Sequence, residues 1–538
     1  MNPKVIDLIF ALIAFSLPFK YTPRIIWQLF WGGPYGQYLI IYPLMAGLLY
    51  TAYAVMWKGF KLPDWRIFQK FLFAYIGVLI LSLAWGAYSY PYYEQALSGP
   101  ATQIRQLPAI MEMLTSIGVA VDEKTVMLIC IILRPLKGII FDTLYTFGAA
   151  YMIYAWYQDR VQRAVQILLK VVTFDLALIA GYGLIDVCYQ NGQLWAQNVL
   201  EFVTPLLHAD VTMKWTAERF TIGPFWNGQV RSLFLEPSYF GNFMAFALPL
   251  LWWNICRKHS NGERCGLALL LLILTFELFL TKSRTSVLIL AGEIIIYAAI
   301  VMWRRNIELI KLSTVLAVTC MLGFSFALAF MNYGQVHVAW MGGRQPLATI
   351  QAQGMEGNVS LGNYFESTYG TLLNGTNVSR EKQESNHSRY TIAKTGLSVG
   401  EEHLLLGVGK TMRHSYFREK LDDDPTAEIQ KWNKMIDANG LLGKWDMGYP
   451  DLNAWTDLFA ETGVLGVVLY CLPMIIVLRR YLKSVLDRSV LFENAIPSVF
   501  CGISFVGMLV SGFGDSITLT FCPWLMLGIS FLVCQKEG

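Results

Sequence analysis

Twelve apolar blocks, each near the length of a bilayer crossing, constrain this chain more than any motif does. A helical crossing needs roughly 20 mostly apolar residues, with tolerance down to about 17. Backbone in lipid must satisfy its own hydrogen bonds, which a helix does within one segment. The blocks centre on 5–20, 37–57, 67–87, 138–157, 164–186, 233–255, 265–281, 285–303, 309–331, 454–478, 491–512 and 517–534. Charged residues make up 15% of the 538, against about 25% in soluble proteins. That is too few polar groups to coat the several soluble domains the length would otherwise allow. The expected fold class is therefore an all-α polytopic membrane protein with about 12 transmembrane helices. The first block follows Met-Asn-Pro-Lys directly and lacks a small-residue cleavage pattern, so it reads as a retained span. Seventeen Trp suit interfacial belts, and a net charge of only +4 argues against a nucleic-acid partner.

Orientation follows from Lys and Arg in the short loops, which favour the cytoplasm. Five loops share one side of a twelve-span plan. They carry Lys58, Lys61, Arg66 and Lys70; Arg160 and Arg163; Arg257, Lys258 and Arg264; Arg304, Arg305 and Lys311; and Arg479, Arg480, Lys483 and Arg488. Both termini fall on that side. The other side holds long segments at about 88–137, 187–232 and 332–452. The last is too long for a plain connector and reads as a lid or small subdomain. The chain thus divides into 1–331 (spans one to nine), 332–452 (large outer loop) and 453–538 (spans ten to twelve). The nine cysteines sit mostly inside apolar blocks and give no disulfide framework or zinc spacing.

Several residues break the membrane pattern on the outer side. Lys282 and Arg284 occupy a tight hairpin between two spans, against the positive-inside bias. An anion at the outer leaflet, lipid phosphate above all, would compensate them. Arg231 precedes Glu236-Pro237-Ser238-Tyr239-Phe240-Gly241-Asn242. Pro237 suits a first helical position, and a helix running inward from it aims free N–H groups outward, an anion site. Glu236 stands beside it as an orienting group, a base, or an ion-pair partner of Arg231. Asp142, Asp175, Asp186, Glu277, Glu293, Asp457 and Glu461 lie within blocks, where carboxylates usually face the bundle interior. Asp457 and Glu461, four apart, share a helix face, and Glu277 and Arg284, seven apart, are expected to share another. In the large loop, Gly407-Val408-Gly409-Lys410-Thr411 imitates a phosphate loop but has Leu404 where the motif needs Gly. Nucleotide binding is therefore not expected.

These pieces in this order resemble the O-antigen polymerase and O-antigen ligase superfamily of bacterial envelope glycosyltransferases. The resemblance covers roughly 225–470. It rests on Arg231 to Asn242, on Ser283-Arg284, on Arg389 followed by Gly407-Val408-Gly409, and on Asn453 followed by Glu461-Thr462-Gly463-Val464-Leu465-Gly466. Ligases of the superfamily typically carry a His directly before that Asn; here it is Leu452, which favours a polymerase, with His403 and His387 left as substitutes.

The resemblance implies transfer of a growing glycan from undecaprenyl diphosphate onto a sugar hydroxyl of a new lipid-linked unit. The reaction would take place at the periplasmic face of the inner membrane, the large loop being periplasmic. Arg231, Arg284, Arg389 and Lys282 are then the diphosphate ligands, since fixed cations stabilise the leaving group as its charge develops and arginine meets phosphate bidentately. Glu236 is the first choice of base and Glu461 the second, with Asp451 and Asp457 also candidates. Tyr239, Asn453, Asp451 and His403 are expected at the acceptor sugar; Trp340, Trp432, Trp445 and Trp455 could stack on sugar rings but read first as interfacial anchors. No metal or other cofactor is expected. The implied partners are the lipid-linked oligosaccharide, the bilayer and a chain-length regulating co-polymerase. The rival readings are the ligase acting on lipid A-core, a lipid-linked sugar transporter or flippase, and an envelope scaffold.

Overall fold

The computed structural model describes residues 1–19, 38–99, 103–104, 107–207, 229–257, 260–331, 380–441, 449–487, 492–516 and 520–535. Among these, every regular element is a helix. Helices α1 (Pro3–Phe15), α2 (Ile41–Lys58) and α3 (Trp65–Ser89) take up the first three apolar blocks. Short helices α4 (Tyr93–Ser98) and α5 (Leu107–Ser116) precede α6 (Glu123–Thr143), which continues through a π-turn at Leu144–Gly148 into α7 (Ala149–Tyr157). Next come α8 (Val161–Gln190), α9 (Leu194–Leu207), α10 (Pro237–Cys256), α11 (Asn261–Leu280), α12 (Arg284–Arg304) and α13 (Ile307–Ala329). The described part of the large loop forms α14 (Arg380–Glu402), α15 (Arg413–Lys420) and α16 (Ala427–Asn439). The chain closes with α17 (Ala454–Leu486), α18 (Phe492–Ser511) and α19 (Cys522–Gln535).

Each of the twelve blocks has helix at its centre. Five helices among the described residues are by themselves long and apolar enough to cross a membrane: α3, α8, α12, α13 over Leu309–Ala329, and α17. Shorter apolar stretches occupy Ala495–Ser511 and Cys522–Cys534. The largest boundary difference from the sequence reading is at the fourth block. The helix expected from 138 begins at Glu123, because Asp122 caps it by accepting the Thr125 N–H at 3.1 Å. Lys124, Arg134 and Lys137 thin its apolar density, which hides that first half from a hydropathy window.

The bundle is built around α10. Nearly every side chain from Phe240 to Ile255 is buried, and α10 packs on α8, α11, α12 and α18. A helix apolar all round belongs at such a centre. The basic loops gather at one end. Asp7 meets Arg163 at 2.8 Å and Arg160 at 3.8 Å. Asp64 accepts the Tyr154 hydroxyl at 2.8 Å, and Arg304 donates to the Val485 carbonyl at 2.8 Å. The loop subdomain packs α14 along α17, with Phe417, Ile429, Trp432, Ile436 and Tyr449 as its buried centre.

Candidate active site

Three helices begin at one place. Pro237 opens α10 in its first turn, with Glu236 extended at the N-cap (φ −135°, ψ 150°). Arg284 opens α12. Ala454 opens α17, capped by Asn453, whose side-chain oxygen accepts the N–H groups of Trp455 and Thr456 at 3.1 and 3.2 Å. All three starts meet the turn that follows α18. Ala454 N–H donates to the Gly512 carbonyl at 2.9 Å, and Asn242 Nδ2 donates to Asp515 Oδ2 at 2.8 Å. A Cβ at Gly514 would sit 3.1 Å from the Thr285 side chain. Gly241 lies so close to Ser286 that a Cβ there would overlap its hydroxyl at 1.5 Å. Only glycine lets α10 and α12 start side by side. Arg389 then reaches across from α14, donating to the Gly514 carbonyl at 3.0 Å.

The result concentrates positive potential. Each helix start carries the positive end of its dipole, and Arg284 and Arg389 add full charges. Such a place is suited to an anion. Glu236, half-buried and accepting from the Ser238 hydroxyl at 3.3 Å, brings a carboxylate to this convergence beside that of Asp515. Tyr239 stands in the first turn of α10 and, with Asn242 and Asp515, lines a cleft that runs between the end of α1 and the turn after α18. Lys282 turns the chain between α11 and α12 with φ 53°.

Arg231 sits apart from this group. It is only 2% exposed, with Nη1 on the Leu235 carbonyl at 3.3 Å. Its own N–H and that of Ser232 are held by Asp186 of α8, at 3.3 and 2.8 Å. In this structure Arg231 and Asp186 shape the turn that presents Glu236.

A second group adjoins the start of α17. Arg413, buried at the head of α15, meets Asp451, Asp457 Oδ1 at 2.5 Å and Glu461 Oε1 at 3.8 Å. Burial opposes its charge, but Asp457, Asp451 and Glu461 outweigh that and hold the guanidinium protonated. Lys410 pairs with Asp142 of α6. Burial works against that ammonium too, and Asp142 and Glu461 keep it above its ordinary value. This pairing uses the lysine that sequence alone likened to a phosphate loop. His414 has its ring 6.4 Å from that of Tyr449, and burial together with Arg413 pushes it down to about 3, so it is neutral. His403 packs against the Tyr416 ring at 5.2 Å, and burial lowers it as well.

The backbone explains the glycines of this region. At Gly463 (φ 62°, ψ −169°) α17 is broken. Two helical bonds, from Val464 N–H to Ala460 and from Leu465 N–H to Glu461, are replaced by four to the loop before α15. Val408 and Gly409 N–H donate to the Ala460 and Glu461 carbonyls at 2.9 and 3.0 Å. Val464 and Leu465 N–H donate to Leu404 and Leu405 at 2.8 and 3.3 Å. The Ser82 hydroxyl of α3 joins them on the Glu461 carbonyl at 2.8 Å, and the Glu461 carboxylate accepts Thr411 N–H at 3.1 Å.

Set against the sequence reading, Glu236, Tyr239, Arg284, Arg389 and Asn453 come together, and Asp451 and Glu461 form the adjoining group. Arg231 is buried beside Asp186, apart from the first group. Asp457 and Glu461 do share a face, toward Arg413. Glu277 and Arg284 do not, because the turn at Thr281–Ser283 ends α11 and starts a new helix. Trp432 is 5% exposed in the loop core, and Trp455 donates to the Leu509 carbonyl at 3.2 Å. Trp340 and Trp445 lie outside the described residues. Sequence reasoning missed Arg413 and His414; the one available signal was a cation four residues after Gly409. Among the described residues, no group of three or more His, Cys, Asp or Glu side chains is placed to hold a metal ion.

No curated protein matches this chain. Residues 267–471 match the family model described as O-Antigen ligase, a stretch that contains Arg284, Arg389, Arg413, Asn453 and Glu461. Over that stretch the chain resembles the O-antigen ligase/polymerase superfamily.

Proposed function

We propose that this protein polymerises undecaprenyl-diphosphate-linked O-antigen repeat units at the periplasmic face of the bacterial inner membrane. The convergence of three helix starts with Arg284 and Arg389 is the observation that carries the reading. A diphosphate placed there faces fixed positive charge that needs no rearrangement as the bond to its sugar breaks. The glycan's anomeric carbon exchanges its bond to the diphosphate oxygen for one to the acceptor hydroxyl oxygen. The hydroxyl proton passes to a carboxylate, and undecaprenyl diphosphate leaves as the anion. Glu236 is the base we favour, since it stands at the convergence; Glu461 is engaged by Arg413 and Thr411. Asn453 and Tyr239 flank the acceptor side, and Lys282 adds charge at the rim. The reading includes twelve spans, a large loop on the periplasmic side, and a co-polymerase that sets chain length.

Leu452 supports polymerase over ligase. One observation favours the ligase: His414, near Asp451 and Tyr449, brings an imidazole to the neighbourhood that Leu452 leaves without one. A reconstitution separates the two. Purified protein in vesicles is given undecaprenyl-diphosphate-linked repeat units, with and without lipid A-core, and products are read by mass spectrometry. A ladder without lipid A-core is expected. Product formed only with lipid A-core would replace the polymerase reading with the ligase, and no product in either condition would move the weight to transport.

A further inference from the structure

We propose that the turn carrying Leu404 and Leu405 is buried in bilayer hydrocarbon beside α17, so that the large loop re-enters the membrane. Its side chains are apolar and outward: Leu404 is 52% and Leu405 65% exposed. Backbone hydrogen bonds to Val464 and Leu465 fix them beside Val464 (38%), Leu465 (44%) and Val468 (54%). These five side chains make one apolar strip, continuous with the outer surface of a helix long and apolar enough to span.

Two independent rulers set the depth of that strip. On α17, Arg479 and Arg480 mark one edge of the apolar stretch. A core of about 30 Å at 1.5 Å per residue reaches back about 20 residues, to around residue 459. Val464 and Leu465 then lie about 8 Å inside the core. On α3, 25 residues long, the helix measures about 37 Å and overhangs the core by about 4 Å at each end. Ser82, which shares the Glu461 carbonyl with the loop, is seven residues from the end of α3, again about 7 Å inside the core. Irregular backbone at that depth needs protein around it, and Gly86 of α3 supplies it: a Cβ there would lie 2.1 Å from the Val408 carbonyl oxygen. The loop backbone is enclosed between α3 and α17, and the two leucines are what it turns toward lipid.

The test uses the full-length chain with a small fluorescent amino acid inserted by codon suppression at Leu405, in vesicles of phosphatidylethanolamine and phosphatidylglycerol, with or without brominated acyl chains. Val468, on the span, is the buried reference, and Asp423, exposed on the loop, the aqueous one. Quenching at 405 of at least half that at 468, with none at 423, is expected. Leu404 is a second site should the first variant fail to accumulate. Unquenched fluorescence at either accumulating site, with 468 quenched, overturns the proposal, whether water or a second copy of the chain covers the leucines instead.

Discussion

Arg413 Nη1 lies 2.5 Å from Asp457 Oδ1, and this contact joins the large loop to the first turn of α17. Asp451 and Glu461 share the same guanidinium. One buried cation thus sets the position of three carboxylates, one before the Asn453 cap and two on successive turns after it. The group draws its rigidity from that sharing, with Thr411 N–H as a second hold on Glu461.

Arg413→Ala removes the cation and leaves the buried Asp457 without its ion-pair partner, a change that costs about 3–5 kcal/mol for a buried pair. A large fall in the thermal unfolding midpoint in detergent is expected. Asp457→Asn added to Arg413→Ala should recover part of it, because it removes the stranded charge. Equal midpoints for the single and double variants would contradict the arrangement.

Gly463→Ala tests the helix break. The positive φ strains a non-glycine residue by about 1–3 kcal/mol, and the new Cβ would meet the Leu405 carbonyl carbon and oxygen at 2.5 Å. Destabilisation at or above the upper end of that range is expected. Gly77→Ala, with nothing within 4 Å of the new Cβ, should stay within about 0.5 kcal/mol of wild type. Both are read from the same unfolding assay.

Arg284→Ala and Arg389→Ala should each lower the polymerisation rate by about 10²–10³, the loss seen when one preorganised donor is taken from a developing anion. Their unfolding midpoints should change little. Arg231→Ala should behave differently, lowering stability first, since it empties a buried site beside Asp186. A stable but inactive Arg231→Ala protein would return that residue to the anion site.

Acid should weaken the fold through His414. Its folded value, about 3, lies below the ordinary value near 6.5, so above about pH 6.5 neither state takes up the proton. As pH falls from there toward 3, the unfolded chain is protonated first and stability is lost. His414→Gln should therefore lose less of its unfolding midpoint than wild type between pH 7 and pH 4.5. An identical loss would remove His414 from the acid response.

The architecture was legible in the sequence wherever apolar length decided it. Pro237, Asn453 and the Asp457–Glu461 spacing were legible because they act within one helix turn. The turn at Thr281–Ser283 was legible too, as a tight hairpin between the blocks 265–281 and 285–303; only the shared face expected for Glu277 and Arg284 fails there. Arg413 was hidden. An arginine in a polar loop reads as solvated, and its burial depends on partners 38 to 48 positions away. The convergence on the Gly512–Ser516 turn was equally out of reach, because no pattern along the chain encodes which helix starts will be neighbours.

The four backbone bonds around Gly463 bear on which parts of the chain can move. Lifting the 404–409 segment would strip Ala460, Glu461, Val464 and Leu465 of their partners at a depth where water is scarce, at about 1–3 kcal/mol for each group. That stretch is a doorpost, not a door. Any part of the chain that opens during turnover has to hinge elsewhere.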